Sequence, residues 1–328
     1  MNRKIFSIVI VCYCMVASAA GQHPVKPGPA PVVSNKPQLT KQQLQLFQKA
    51  EDSLLLLAKI MMWDTGDLVN RKAACYRFIP KFMHTLKNDN SFYYGFDSLF
   101  NVSRLYPPDS SFRLFTWQLH YPKGRFRYYG VLQMKGKKAR LFPLKDLRDT
   151  LPFHTQQTLT NENWYGQIYY RILENTVKKK TYYTLFGFEA ADFISKRKIL
   201  DVMTFDSLGR PRFGAPVFNF SYSDTTRLKM KDTLSRFFIE YKWSASPTLN
   251  YDDNLNLIVV DHLAPPNPRA KGAYFTYVQD GTYEGFKWVT DHWEWIEKVF
   301  TFSIDEDDNP PIPVPLFGEP KRQPVLPK

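Results

Sequence analysis

Cysteine is all but missing from this chain of 328 residues: there are three, and two of them, Cys12 and Cys14, fall in an apolar run near the N-terminus. Only Cys75 is left in the body of the chain, so no internal disulfide can form there and the core must hold the fold unaided. It sits in an apolar helical pattern with no base nearby in sequence, the setting of a small buried hydrophobe rather than a nucleophile. One thiol cannot build a zinc site, and His120, His154, His262 and His292 are too far apart in sequence to make up for it. HExxH, GxSxG, P-loop and GxGxxG patterns are also absent, so no motif argues for a zincin, an activated serine or a nucleotide cradle. The sequence calls for no metal and no cofactor, and it names no catalytic residue.

What is present begins with a leader. Arg3 and Lys4 form a basic start, Ile5 to Val16 an apolar stretch, and Ala17-Ser18-Ala19 a small-residue cleavage site, so residues 1–21 read as a secretory signal peptide. The apolar stretch falls short of the roughly 20 residues of a membrane span. Val11 and Tyr13 precede the two leader cysteines, where a lipid-anchoring signal wants a small residue. Cleavage leaves a protein with no transmembrane segment, exported to the periplasm or secreted. The formal charge of +13 falls to +11 once Arg3 and Lys4 leave with the leader. In a cytosolic protein such basicity suggests nucleic acid. Export argues against that partner and leaves a solvated basic surface, or an envelope protein, an acidic glycan or an anionic lipid surface as the thing it meets.

Residues 22–39 are a Pro-rich linker, whose composition favours extended conformations and cannot bury a core. Residues 303–328 form a second Pro-rich tail; its acidic cluster Asp305–Asp308 lacks the Gly and distal Glu of a helical calcium loop. Between the tails the chain changes character once. From Thr40 to Met62 apolar residues recur at helical spacing, and Thr40 with Gln43 makes a capping box. A second helical pattern runs from Asp67 to Leu86, interrupted by Pro80, where a kink or a break into two short helices is expected. Residues 40–110 therefore read as a helical segment packed on a β domain.

That domain is residues 111–302. Expected strands are Phe112–Leu119, Phe126–Met134, Trp164–Leu173, Thr181–Phe188, Lys198–Phe205, Phe213–Phe218, Arg236–Trp243 and Asn254–His262, with more within Ala273–Phe300. Asp280-Gly281 has the flanks of a two-residue hairpin turn. An aromatic residue followed by glycine recurs at Tyr129-Gly130, Tyr165-Gly166, Phe186-Gly187 and Phe213-Gly214; a propeller or solenoid would keep a steadier period, which leaves a propeller as the minor alternative. These glycines read as strand punctuation, where backbone or aromatic rings approach closely. The fold class is mainly β with N-terminal helices (α+β), a large antiparallel meander forming a twisted sheet, sandwich or barrel.

Aromatic residues make up 16% of the chain, enough to line a sugar platform or to fill the faces of a broad sheet. Candidate binding residues gather in Leu255–Phe300: Asp261 and His262 at a strand end, Asp280, Glu284, Trp288 and Trp293. Strand alternation separates Asp261 from His262. Asp261 and Glu284 together suggest a cleft with one acid and one base, the alternative of a glycan- or ester-directed hydrolase.

The runs Thr184-Leu185-Phe186-Gly187, Lys198-Ile199-Leu200-Asp201-Val202, Phe213-Gly214-Ala215-Pro216-Val217-Phe218, Val260-Asp261-His262-Leu263 and Asp280-Gly281 through Gly285-Phe286-Lys287-Trp288 resemble those of an exported protein family of Bacteroidota. The resemblance extends over most of the mature chain. It implies a cell-envelope location, no assigned activity and no functional residue to carry over. The expectation is thus an exported envelope protein that binds or supports a protein, glycan or lipid head-group partner without catalysis.

Overall fold

Apolar side chains on both faces of its strands make the middle sheet of this protein an interior layer. The computed structural model describes residues 37–63, 67–151, 157–190, 194–220 and 233–300. The expected leader, most of the Pro-rich linker and the C-terminal tail lie outside the described residues. Two helices open the described chain, α1 (Lys41–Trp63) and α2 (Leu68–Lys87). The expected capping box closes the start of α1: Gln43 N–H donates to Thr40 Oγ1 at 3.2 Å, and Thr40 N–H donates to Gln43 Oε1 at 3.0 Å. Asp67 caps α2 by accepting from the Val69 amide. The helix runs unbroken through Pro80, against the expected break. Pro80 is exposed, so the carbonyl it deprives of a donor, that of exposed Tyr76, lies on the solvent side. Phe78 and Phe82 hold the opposite side in the core.

Three sheets complete the described chain. The first contains β1 (Ser103–Leu105), β2 (Phe112–His120), β3 (Phe126–Met134) and β4 (Leu141–Lys145), antiparallel in that order. The second contains β5 (Leu159–Thr160), β6 (Ile168–Val177), β7 (Lys180–Glu189), β8 (Ser195–Phe205) and β9 (Pro211–Phe213), in the order β5-β9-β8-β7-β6. The third combines β10 (Phe218–Asn219) with β12 (Leu249–Asp252), β13 (Leu257–Ala264), β14 (Val278–Val289) and β15 (His292–Ile296). β11 (Arg236–Lys242) pairs with β8 in the second sheet. Pairing among the described strands is antiparallel except for a two-residue parallel contact of β10 with β15, and an isolated parallel bridge joins Asp146 to Trp164. The architecture is sandwich-like, with no closed barrel. Among the described residues no helix is long and apolar enough to cross a membrane.

Strand alternation assigns each face. Phe115, Trp117, Leu119 and Val131 of the first sheet pack against the helices, where Cys75 is fully buried and burial pushes its thiol up to about 11. Phe112, Leu114, Tyr128 and Leu132 point the other way, onto Tyr183, Leu185, Ile199 and Met203 of the second sheet. The opposite face of that sheet, through Phe186, Leu200, Val202 and Phe237, meets Ile258, Val260, Phe286, Trp293 and Trp295 of the third. The large rings are thus mostly core.

Charges are embedded in this stack. Arg236 Nε lies 3.1 Å from Asp201 Oδ2, both nearly inaccessible, and Arg236 also donates to the Gln157 carbonyl. Burial pushes the Asp201 carboxyl up, and Arg236 offsets only part of that rise. Glu189 is buried between Arg148 at 3.1 Å and Arg197 at 3.5 Å and accepts from the Tyr165 hydroxyl. Among the described residues Arg113 has no carboxylate partner. It donates to Gln133 and to the carbonyls of Ser91 and Tyr94, and rings of Phe92, Phe96 and Phe115 surround it. Burial lowers its guanidinium to about 10.

The aromatic–glycine pairs find their reason here. A Cβ at Gly166 would strike the Asp146 carboxylate, one at Gly187 would strike Gln167, and one at Gly214 would strike Arg236 and the Gln157 carbonyl. Gly130 sits 2.8 Å, measured from a hypothetical Cβ, from the Phe115 carbonyl. Three of the four glycines are seats for buried polar side chains. Gly214, at φ 90°, also ends the strand that was expected to run to Phe218: β9 stops at Phe213 and β10 starts afresh at Phe218.

Asp201→Asn leaves Arg236 buried without its counter-charge and is expected to cost about 3–5 kcal/mol of stability, read by urea denaturation. Gly187→Ala is expected to cost about 1–3 kcal/mol. Because the clash is with one flexible side chain, adding Gln167→Ala should recover part of that loss; additive effects of the two changes would contradict the contact.

Candidate functional site

β13 and β14 are paired from Leu257↔Lys287 to Asp261↔Tyr283, and then the register slips, resuming at Leu263↔Gln279. His262 on one strand and Asp280, Gly281 and Thr282 on the other are left in the irregularity. The expected hairpin at Asp280-Gly281 is therefore a bulge within one strand, and the reversal lies at Thr290-Asp291, between the paired Val289 and His292. Gly281 at φ 90° supplies the bulge conformation, and Asp280 Oδ1 accepts from the amide and the hydroxyl of Thr282. The turn chemistry read from Asp280-Gly281 is real; it bends a strand instead of ending one.

The bulge brings three of the six expected residues together. His262 Nδ1 lies 2.5 Å from Asp280 Oδ2, and His262 Nε2 lies 3.5 Å from Glu284 Oε1. Burial acts to raise the Asp280 carboxyl, but the Thr282 amide and hydroxyl together with His262 outweigh it and hold the group below its ordinary value. Asp261 has another partner: its Oδ2 accepts from the Thr248 amide at 2.6 Å, joining β13 to the start of β12. The imidazole nitrogens point in opposite directions, so Asp280 and Glu284 cannot converge on one ion through it. Among the described residues no group of three His, Cys, Asp or Glu side chains is arranged to hold a metal.

Trp288 and Trp293 are not part of this cluster. They face each other across β14 and β15 with rings 5.2 Å apart, and Trp288 is four residues beyond Glu284, about 13 Å along the strand. Trp293 is buried and its Nε1–H donates to Thr184 Oγ1 at 2.9 Å, an inter-sheet tie. Trp288 is half-buried, edge-on to Trp293.

Beside the His262 cluster lies a surface that sequence inspection missed. The register of β11 on β8 sets Tyr241 opposite Lys196 and Ile239 opposite Lys198, on the face turned to the third sheet. Lys196 Nζ stands 4.5 Å over the exposed Trp243 ring, and Lys198 Nζ 5.9 Å over Tyr170. Burial lowers both ammonium groups from their ordinary value, and the Asp261 charge partly restores Lys198. Neither lysine has an ion-pair partner among the described residues, whereas Arg104, Arg148, Arg171, Arg197, Arg210 and Arg236 are all paired. Exposed Tyr274 and Phe275 lie on a 3-10 turn packed against β11 and β8, which is held there by the Lys242 amide bonding to the Tyr277 carbonyl. The signal was in Ser195-Lys196-Arg197-Lys198, whose alternation puts both lysines on one face. Seeing it needed the β11 register.

Comparison with protein-family models, with curated proteins and with solved structures gives no match to this chain.

Asp280 ties the bulge as a carboxylate. Its folded-state pKa is depressed, so the stability it contributes is present above the unfolded value of about 4 and is lost as pH falls through the lower folded value. Denaturation midpoints of the wild type should decline over the range from about pH 5 downward more steeply than those of Asp280→Asn. Parallel acid limbs would show that the tie carries no net stability.

Proposed function

We propose that this chain is a non-catalytic binding module of the cell envelope, and that the face bearing Lys196, Lys198, Trp243 and Tyr170 takes an acidic glycan. The observation that carries the reading is that both lysines stand over aromatic rings and neither makes an ion pair among the described residues, Asp261 acting on Lys198 from beyond ion-pair distance. A cation over a ring keeps its charge available to an incoming anion, while a lysine already paired with a carboxylate does not. Lys196 and Lys198 are alternate residues of one strand, about 7 Å apart, which suits carboxylates repeated along an extended polymer. Tyr274, Phe275 and Trp243 add exposed ring surface for the apolar faces of sugars. The N-terminal leader and the basic charge support an envelope location.

Isothermal titration with polygalacturonate as the acidic probe and dextran as the neutral one tests the reading. Lys196→Glu/Lys198→Glu is expected to weaken polygalacturonate binding by about tenfold or more, with no gain toward dextran. Undiminished affinity in that variant, or equal binding of dextran by the wild type, would overturn it.

A second reading has one observation in its favour, the 2.5 Å contact of His262 with Asp280 beside Glu284. A glycan- or ester-directed hydrolase would use that cluster for acid–base chemistry. Turnover of polygalacturonate or of an aryl ester that disappears in His262→Ala would favour it over the binding module.

A further inference from the structure

The hairpin between β6 and β7 turns on two residues, Lys178 and Lys179, closed by the pair Val177↔Lys180. Both turn residues have positive φ, 48° and 68°. Positive φ at both central positions is the signature of the type I′ turn, which favours Asn, Asp and Gly because a Cβ crowds the adjacent backbone there. Lysine brings the strain without the short polar group that relieves it. Lys178, Lys179 and Lys180 are also all exposed, and none has an ion pair among the described residues, so repulsion between like charges adds to the cost. Folding alone does not account for such a turn.

An aromatic ladder stands behind the tip. Lys180 Nζ is 4.9 Å over the Tyr182 ring, and Tyr182 is 6.1 Å from Trp288. The β14–β15 turn follows Trp288 in sequence, and its one acid, Asp291, is 3.0 Å from His292 Nδ1. The lysines thus lie at an exposed hairpin tip, with half-buried Tyr and Trp rings at its base.

We propose that the Lys178–Lys180 hairpin docks the protein onto an anionic lipid surface. Three adjacent lysines on one exposed hairpin turn can meet a flat array of charges together. Lysine, a compact point charge with no fork to match one anion, reads charge density more than shape. Tyr and Trp are the side chains favoured at the edge of a bilayer. Each lysine near an anionic leaflet is worth about a fivefold change in partitioning, so the three together reach the order of a hundredfold.

Co-sedimentation of the full chain with vesicles tests this, using phosphatidylcholine alone and phosphatidylcholine mixed with phosphatidylglycerol. The wild type is expected to bind only the mixed vesicles and to release them at high salt. Lys178→Asn/Lys179→Gly installs the favoured turn residues and removes two charges, so mixed-vesicle binding should fall by about thirtyfold while Tm holds or rises. Lys196→Glu/Lys198→Glu should keep its vesicle binding, which separates this surface from the glycan face. Undiminished vesicle binding in the Asn-Gly variant would overturn the proposal. So would a lowered Tm, which would give the lysines a structural role, or a loss of polygalacturonate binding with no vesicle binding in the wild type, which would assign the tip to a soluble polyanion.

Discussion

β8 has to satisfy two cores at once, and the other layers are arranged around that demand. Ile199 and Met203 fill the space under the first sheet, Leu200 and Val202 the space over the third, and Asp201 stands among them as a buried charge. An isolated carboxylate there would cost several kcal/mol, so Arg236 on the neighbouring β11 has to meet it, and the β11 register is tied to that contact. The same register places Lys196 and Lys198 beside Tyr241 and Ile239. A requirement of the interior therefore determines what the surface at the end of the strand presents.

Several of the polar groups in the stack stand where a glycine makes room for them. Asp146, Gln167 and Arg236 each rest on a glycine, and each has partners of its own: Asp146 accepts from the Tyr128 amide, Gln167 donates to the Tyr169 hydroxyl, and Arg236 holds Asp201. Glu189 plays the same part with Arg148 and Arg197. With no disulfide in the described chain, these paired groups and the rings packed about them fix how the sheets sit on one another. The second sheet has its own register shift at Tyr169/Arg171, and in the third sheet the β13–β14 bulge gathers His262, Asp280 and Glu284 without disturbing the core at Ile258 and Phe286.

Much of this was legible in the residues. Helix α1 begins at its Thr40–Gln43 box, the long strands follow alternation at Phe126–Met134 and Thr181–Phe188, and the aromatic–glycine pairs mark close approach. What escaped has physical reasons. Leu159–Thr160 and Leu249–Asp252 are too short to show a period, and their neighbours in space define them as strands. Asp280-Gly281 has the same chemistry in a bulge as in a hairpin turn, and only pairing across β13 tells them apart. Pro80 forbids one hydrogen bond, a loss that a solvent-facing carbonyl can bear. The charges of Asp201, Arg236 and Glu189 give no sign of burial in a one-dimensional string, because each is tolerated through a partner distant in sequence. Of the candidate site residues, the cluster of His262, Asp280 and Glu284 emerged from one stretch of sequence, whereas the lysine–aromatic face joins three strands.

Native-state hydrogen exchange measured strand by strand tests most directly whether the doubly covered second sheet holds the molecule together. Amides of β7 and β8, especially Leu185–Gly187 and Ile199–Val202, are expected to exchange last, and only through global unfolding. Asp201→Asn should bring their protection down together with global stability. If the helices or the third sheet kept the slowest amides while β7 and β8 opened first, the middle sheet would not be the element on which the fold depends.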